Sequence, residues 1–225
     1  MSSMTGKYLS RIFSDKRSFT LRKLYLDCID EQGNCIIVYL ARLEYLFLRF
    51  CYSSVIYSGE NRRTLENSSL RWNNLPDTEG ILDIRHEKLG ITGKWVVSDN
   101  PVALPVYTVG HNKGVFWNCH HPKATADISF SGNSIKGLGY AETLLVSVEP
   151  WNLPLEELRW GRFLSEKHTI IWISWVGKHN FSKVILDGLE YDDPVFADDR
   201  LVFGGDNFLI FNEVFQVRKE KIGDI

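Results

Sequence analysis

Ala126–Val148, with the sequence ADISFSGNSIKGLGYAETLLVSV, is the stretch that decides the fold. Its first five residues alternate apolar and polar side chains, and the segment Ser131–Ser134 predicts a tight turn. The long apolar run after the turn predicts a returning strand, so the stretch is typical of an antiparallel hairpin. Gly137 and Gly139 in the returning strand predict a bulge or bend of the kind that curls a sheet into a barrel.

Similar strand and turn patterns continue on both sides of this hairpin. Leu24–Asp30 and Cys35–Leu40 flank the turn segment Glu31–Asn34 and predict a second hairpin. Further strands are predicted at Leu82–Glu87, Gly93–Ser98, Leu104–Val109, Val115–Cys119, Thr169–Val176, Val184–Leu186, Arg200–Phe203 and Phe208–Val217. No strand–helix alternation is present in the sequence, which therefore predicts a mainly β, antiparallel protein.

The predicted domain organisation is a lead-in followed by one long β region. Residues 1–20 are polar and basic, and residues 21–225 carry the strands. Residues 41–57 fit either a helix or a strand, and their aromatic and β-branched content favours strand. Residues 58–80 are polar and predict a long loop. The corner Pro150–Pro154 follows the long returning strand, so a boundary between two modules is expected near residues 130–150.

The composition excludes some classes of function. The 225 residues carry a formal net charge of −2, which leaves no basic excess to neutralise phosphates, so no nucleic-acid partner is expected. Residues 1–19 contain no apolar segment of the kind found in secretory signals, which favours a cytoplasmic protein. Charges at Arg42, Glu44 and Arg49 interrupt the apolar run Ile36–Tyr57, so that run predicts strands or a buried helix, not a membrane span.

The cysteines and the glycines give no sign of a metal or cofactor site. Cys28, Cys35, Cys51 and Cys119 form no C-x-x-C pair and have no zinc-ligand spacing. They are expected to be reduced, buried thiols, although Cys28 and Cys35 could also face each other across a hairpin. The segment Gly137–Gly139 lacks the third glycine and the following helix of a dinucleotide site. We therefore expect neither a metal nor a cofactor.

One acidic residue falls inside the apolar returning strand. Because side chains alternate along a strand, Glu142 shares a face with Tyr140, Leu144 and Val146, which is the more apolar of the two faces. An ionised carboxylate there must find a partner or raise its pKa. Glu142 is therefore a candidate general acid. The alternative is a structural ion pair with an inward-facing arginine.

A second candidate cluster has the sequence WNCHHP, Trp117–Pro122. Two adjacent histidines on a regular strand point to opposite faces, which argues against a joint metal site at His120 and His121. One of them could face inward beside Trp117 or Asn118 and exchange protons near neutral pH. The alternative is a histidine that caps a turn or packs in the core.

A third cluster, Leu158–Phe163, carries two arginines in the sequence LRWGRF. Alternation places Arg159 on one face of a strand, and Trp160 with Arg162 on the other. One arginine is expected to point inward and pair with Glu142, and at least one is expected to lie in solvent. A buried pair of this kind fixes geometry more than it adds stability.

These segments together resemble a known family. The chain is similar, from about Leu24 to Phe215, to the lipocalin-like superfamily of hydroxyneurosporene synthase, a carotenoid 1,2-hydratase, and is closer to a bacterial branch than to the hydratases proper. The similarity is carried by Asp27–Asn34, Gly137–Glu142, Pro150–Pro154, Leu158–Phe163 and Ile171–Trp175. The resemblance implies an antiparallel lipocalin-like barrel or sandwich around an apolar cavity. A second, incomplete barrel module is a further expectation.

The resemblance also implies a function. Some relatives hydrate isoprenoid double bonds without a cofactor, and others cyclise polyketide-like substrates. The hydratases carry His-Asn-Trp just after the position of Glu142, where this chain has Thr143-Leu144-Leu145. The leading hypothesis is a cavity protein for a hydrophobic isoprenoid- or polyketide-like small molecule, acting as a cofactor-independent hydratase, cyclase or isomerase. The alternative is a non-catalytic ligand-binding protein of the same fold.

In the enzymatic scheme each candidate residue has a role. Glu142 protonates an alkene or enol, His120 orients water, and Arg159 or Arg162 holds Glu142 in place. The faces of aromatic rings stabilise positive charge in the transition state. The expected ligand-binding residues are Trp117, Asn118, Tyr140, Trp160, Arg162 and Trp172. Peripheral contact with a membrane is left open as a route of substrate access, and so is a continuation of the strand series beyond residue 225.

Overall fold

The computed structural model describes residues 19–59, 64–70, 75–111 and 113–211. The chain divides into two compact units, with the division between Glu149 and Pro150. Nearly all of the predicted lead-in, residues 1–20, lies outside the described residues. The end of the predicted strand Phe208–Val217 and the question of a continuation beyond residue 225 also lie outside them.

The described residues of the first unit form nine strands. They are β1 (Thr20–Ile29), β2 (Cys35–Tyr45), β3 (Leu48–Ser58), β4 (Thr64–Ser69), β5 (Ile81–His86), β6 (Ile91–Val97), β7 (Val102–Val109), β8 (Lys113–Phe130) and β9 (Asn133–Val146). A short 3₁₀ turn, Glu87–Leu89, joins β5 to β6. The ambiguous residues 41–57 thus belong to strands, as their composition favours.

These nine strands form one antiparallel sheet. Its order is β4-β3-β2-β1-β9-β8-β6-β5, and β7 pairs with the first part of β8. The β8–β9 hairpin is the one predicted from the sequence, with Phe130 paired to Asn133 across the turn. The β1–β2 hairpin turns through Gly33, whose φ of +80° suits glycine. The predicted mainly β, antiparallel architecture is confirmed.

One face of the sheet carries the core of the first unit. On β1 the alternating residues Leu24, Leu26 and Cys28 are fully buried on this face. Buried residues from six other strands and from the 3₁₀ turn pack with them: Ile36, Val38, Leu40, Val55, Leu82, Ile84, Leu89, Ile91, Trp95, Ala124, Ala126, Ile128, Phe130, Ile135 and Ala141. Since strands from both sides of the sheet order meet in one cluster, the sheet curls around this core as in a barrel.

Strand β8 departs from the sequence prediction. It runs without interruption over 18 residues, although the sequence predicts separate strands before and after its middle. Two β-bulges lie between Cys119 and Ala124 and absorb the irregular segment. Of the bulge or bend predicted at Gly137 and Gly139, the bulge is absent from β9, because the register shift next to Gly139 comes from an extra residue on β8. The bulges lie on the partner strand instead.

The two glycines of β9 allow close approach to neighbouring groups. A Cβ atom at Gly137 would lie 2.0 Å from the carbonyl oxygen of Ile29, and one at Gly139 would lie 2.7 Å from the ring of Trp95. Side chains at these positions would therefore clash with backbone and with a buried indole. Their role is steric, and it could not be read from a single sequence.

The predicted loop at residues 58–80 is shorter than expected. Thr64–Ser69 forms β4, which pairs with β3 and ends one side of the sheet order. Its residues are mostly exposed and polar, which hides the strand in the sequence but suits an edge position. The cysteines of the β1–β2 hairpin do not face each other, because Cys28 pairs with Ile36 and Cys35 with Ile29.

The second unit contains two smaller antiparallel sheets. The four-stranded sheet, in the order β10-β11-β12-β13, consists of β10 (Leu155–Leu164), β11 (Thr169–Gly177), β12 (Phe181–Leu186) and β13 (Leu189–Asp192). The three-stranded sheet consists of β14 (Val195–Phe196), β15 (Arg200–Phe203) and β16 (Asn207–Ile210). Buried residues of both sheets pack in one cluster, which includes Ile170, Val184, Leu201 and Phe203. In neither unit do the described residues form a helix long and apolar enough to cross a membrane.

Candidate active site

The candidate site lies on the face of the first sheet opposite to the core. Three neighbouring strands, β1, β9 and β8, present a small grid of side chains there. In the register of the sheet, Lys23 pairs with Leu144, Tyr25 with Glu142 and Asp27 with Tyr140. On the other side of β9, Leu144 pairs with Trp117 and Glu142 with Cys119. Paired residues in an antiparallel sheet project to the same face, so these eight side chains are neighbours.

Glu142 occupies the middle of the grid. Its carboxyl oxygen Oε2 accepts a hydrogen bond of 2.5 Å from the indole Nε1–H of Trp117. The same oxygen accepts a second bond of 2.6 Å from the hydroxyl of Tyr140. Two predicted ligand-binding residues, Trp117 and Tyr140, are therefore in direct contact with the predicted acid. Both bonds go to one oxygen, which leaves Oε1 as the oxygen able to carry a proton.

Burial governs the protonation of Glu142. The residue is 7% exposed, and Trp117 and Tyr140 are 1% and 0% exposed. Desolvation raises the pKa of the Glu142 carboxyl above its ordinary value, and the two hydrogen bonds and the charge of Lys23 oppose that rise without cancelling it. The nearby charge of Asp27 adds to the rise. The net effect is a carboxyl group whose pKa is raised in an aromatic setting.

A second buried carboxylate shares this face. Asp27 is 2% exposed, and its Oδ2 accepts a bond of 2.9 Å from the hydroxyl of Tyr25. The rings of Tyr25 and Tyr140 meet edge to face, with centroids 6.1 Å apart. Two tyrosines and two carboxylates therefore alternate around four neighbouring positions of the grid, because Tyr25 pairs with Glu142 and Asp27 pairs with Tyr140. Sequence reasoning missed Asp27 and Tyr25, although the pattern Tyr25-Leu26-Asp27 mirrors Tyr140-Ala141-Glu142 and was a usable signal.

The half-buried end of the grid carries a cation. The ammonium group of Lys23 lies 4.6 Å from the ring centroid of Tyr39, and Tyr39 packs edge to face on Tyr25 at 5.1 Å. Lys23, Tyr39 and Leu144 are all partly exposed, unlike the residues around Glu142. They border the part of the site that is nearest to solvent.

His120 lies on the other face of the sheet. Its Nε2 is 2.9 Å from the hydroxyl of Thr143, which alternates with Glu142 along β9 and shares the core face with Ala141. Asn118 pairs with Thr143 and belongs to the same face. The structure therefore does not bring His120 and Asn118 together with Glu142. The expectation that His120 orients water beside Glu142 is corrected by this placement.

A bulge places the two histidines together. His121 pairs with Ala141, and the extra residue between Cys119 and His121 is His120. The bulge breaks strict alternation, so both rings lie on the core side, and the charge of His121 contributes to lowering the pKa of His120. Burial is the larger cause, and the pKa of His120 falls to about 4. The prediction that adjacent histidines must face opposite ways is therefore wrong here.

Among the residues with described positions, no group of three or more ligating side chains could hold a metal ion.

The remaining predicted site residues lie in the second unit. Arg159 donates to Glu157, two residues earlier on β10, through Nε at 2.6 Å and Nη2 at 3.1 Å. The expected arginine partner of Glu142 is thus replaced by Trp117 and Tyr140, and Arg159 has a different carboxylate. Trp172 pairs with Gly161 and packs against the buried cluster of the second unit. Trp160 and Arg162 are half-buried on the other face of β10.

No protein-family model and no curated protein matches the sequence. A crystal structure from Nitrosomonas europaea, NE1406, assigned as AttH, matches with a TM-score of 0.54 at 12% identity, over 84% of this chain and 78% of that chain. The chain has the lipocalin-like fold of that protein. Kievitone hydratase from Nectria haematococca matches with a TM-score of 0.49 at 8% identity, over 82% and 73% of the two chains. CghA matches with a TM-score of 0.43 at 12% identity, over 75% and 58%. The lipocalin-like fold class implied by the family resemblance is confirmed, and the apolar cavity stays a prediction.

Proposed function

We propose that the protein is a cofactor-independent enzyme that protonates a hydrophobic small molecule, with Glu142 as the acid. The observation that carries the proposal is the burial of Glu142 between Trp117 and Tyr140, which raises its pKa and leaves one carboxyl oxygen for the proton. A carboxylic acid kept neutral in this way is suited to general-acid catalysis.

The reaction begins with transfer of the Glu142 proton to a carbon of an alkene or enol. The carbon–carbon double bond supplies the electron pair for the new C–H bond, and positive charge develops on the neighbouring carbon. The ring faces at Tyr25, Tyr140 and Trp117 stabilise that charge. Capture by water gives hydration, capture by a second double bond gives cyclisation, and loss of another proton gives isomerisation. In each case one proton is released, and Glu142 regains one.

Asp27 supports this scheme as a second carboxylate on the same face. Its partner Tyr25 lies directly opposite Glu142 in the register, so the two carboxylates occupy diagonal positions. Asp27, as a base at that diagonal position, can accept the proton that water or the substrate cation releases. Such a pair, with one carboxyl group giving a proton and the other accepting one, can complete a proton-transfer cycle without a cofactor.

The walls of the site support a hydrophobic substrate. Aromatic rings surround Glu142, and the cation at its more exposed end is held over the ring of Tyr39. We propose an isoprenoid- or polyketide-like molecule, with contact at a membrane surface as a route of access. The match to kievitone hydratase concerns the fold and is not a basis for its substrate here.

Deuterium incorporation tests the proposal whatever the fate of the cation. The protein is incubated in D₂O with farnesol, with squalene and with any ligand recovered from it by organic extraction, and products are analysed by mass spectrometry. We expect a product with carbon-bound deuterium from wild-type protein. We expect none from Glu142→Gln, and an unchanged yield from Glu157→Gln, which alters an exposed carboxylate. Binding without deuterium incorporation by the wild type would favour the non-catalytic binding protein and overturn the enzyme proposal.

A further inference from the structure

An unneutralised arginine lies on the core face of the first sheet, on the side away from Glu142. Arg22 alternates with Leu24, Leu26 and Cys28 along β1, so its side chain projects to the face that carries the apolar core. It is half-buried. In the register it lies between Arg42 on β2 and Leu145 on β9.

Arg22 has no carboxylate to neutralise it within the described chain. Its neighbour Arg42 is already bound by Glu44, whose Oε1 also accepts from Arg49 at 2.8 Å. One glutamate therefore serves two arginines, and positive charge is left over at this end of the core. Burial and the charge of Arg42 both lower the pKa of Arg22, which indicates that its charge is poorly compensated.

A second polar group on this face also lacks partners. His121 is 1% exposed, and neither ring nitrogen makes a hydrogen bond of ordinary length and angle with any described residue. Burial lowers the pKa of His121, and a backbone group of Gly80 beside the ring opposes that shift. Buried polar groups are usually satisfied, so this buried ring is unusual. The charges of His121 and Arg22 contribute to lowering the pKa of His120, and the charge of Asp77 opposes that shift.

Apolar side chains adjoin these polar groups. Leu145 pairs with Arg22 and is 7% exposed, and Phe116 pairs with Leu145 on the next strand. The hydroxyl of Thr143 bonds to His120 and is buried one step further along β9. The core face of the first sheet therefore changes over two residue pairs, from aliphatic side chains to side chains that are cationic or form hydrogen bonds.

We propose that this end of the core face binds the carboxylate of an amphipathic molecule, with Arg22 as the anion-binding residue and Phe116 and Leu145 against its apolar body. A carboxylate would supply the missing counter-charge of Arg22. Arginine suits this role because its planar guanidinium can bind a carboxylate with two parallel hydrogen bonds. The site is on the opposite face from Glu142 and does not depend on the proposed catalysis.

Titration calorimetry with decanoate and 1-decanol tests this proposal, because the two probes share a chain and differ in charge. We expect wild-type protein to bind decanoate about tenfold or more tightly than 1-decanol. Arg22→Met should abolish that difference, and Arg22→Lys should keep part of it. The control Arg85→Met removes the same charge from a side chain that is 78% exposed, and it should bind as wild type does.

Circular dichroism of each variant establishes that it is folded before its affinity is compared. If Arg22→Met does not fold, the comparison of the two probes on wild type and Arg22→Lys still decides the matter. Equal affinity of wild type for decanoate and 1-decanol, absence of decanoate binding, or undiminished decanoate preference in Arg22→Met would each overturn the proposal.

Discussion

Trp117 and Glu142 lie on neighbouring strands, and the indole Nε1–H of Trp117 reaches diagonally across the β8–β9 ladder to the carboxyl oxygen Oε2 of Glu142 at 2.5 Å. Tyr140 bonds to the same oxygen from two residues away on β9. Two aromatic donors thus orient one buried acid, and a short stretch of regular antiparallel sheet sets the geometry. This relationship supports the proposed proton transfer.

Replacing the hydroxyl of Tyr140 should weaken both the site and the fold. In Tyr140→Phe the ring remains, but Glu142 loses one of its two donors in a buried setting. We expect a loss of about 1–3 kcal/mol in the free energy of unfolding, measured by urea denaturation at neutral pH. The matched control is Tyr52→Phe, at a tyrosine that is 41% exposed, which should change stability by less than about 0.5 kcal/mol. Equal effects of the two substitutions would show that the buried bond contributes nothing.

The charges around Glu142 should shift its titration in opposite directions. The folded-state pKa of Glu142 is raised, so the stability that it contributes is present below its unfolded pKa and is lost as the pH rises through the folded pKa. Asp27→Asn removes a charge that raises this pKa, so the loss should move to lower pH. Lys23→Met removes a charge that lowers it, so the loss should move to higher pH.

Urea unfolding as a function of pH measures both shifts. Glu142→Gln serves as the reference that lacks the titration, and each curve is read as a difference from that variant in the same background. Shifts in the same direction for Asp27→Asn and Lys23→Met would contradict the placement of these charges on one face.

The sequence predicts much of this fold because its hairpins are local. In Ala126–Val148 and in the β1–β2 hairpin, the turn residues and the alternation of side chains act over short distances and determine the pairing. Alternation also places Tyr140 beside Glu142 correctly. The partner strand could not be predicted, because the pairing of β1 with β9 joins residues more than a hundred positions apart. The proximity of Asp27 to Glu142 could not be predicted for that reason.

The irregular part of β8 shows a second limit of prediction. A single inserted residue at His120 turns its ring to the core face, and nothing in the local sequence WNCHHP distinguishes that bulge from a turn. The prediction that Arg159 pairs with Glu142 was wrong for a different reason. Alternation along β10 gives the face of Arg159 but cannot identify which acid it meets, and the acid it meets is Glu157.

Protonation of His120 should destabilise the protein in acid. Because its folded pKa is lowered from 6.5 to about 4, the unfolded state binds the proton more tightly, and stability falls as the pH drops between those values. We expect wild type to lose up to about 3 kcal/mol more than His120→Gln over this range, by urea denaturation. His111→Gln, at an exposed turn, is the control and should follow wild type. A wild-type curve parallel to that of His120→Gln would contradict the burial of a neutral ring.

Gly137→Ala should destabilise the first unit without touching the candidate site. The added Cβ would lie 2.0 Å from a backbone oxygen, that of Ile29, and a backbone atom of a paired strand cannot move aside easily. We expect a loss of about 1–3 kcal/mol by urea denaturation. The neighbouring exposed residue provides the control Lys136→Ala, which should have little effect. Unchanged stability of Gly137→Ala would show that β1 and β9 are not this close.

The protonation state of Glu142 is the most direct test of the proposed catalysis. The carboxyl carbon of Glu142 can be followed by ¹³C NMR in protein labelled with δ-¹³C-glutamate, and it is assigned by its disappearance in Glu142→Gln. We expect a titration midpoint above the ordinary value of 4.5 for a glutamate side chain. A midpoint at or below 4.5 would mean that position 142 holds an ionised carboxylate with no proton to give.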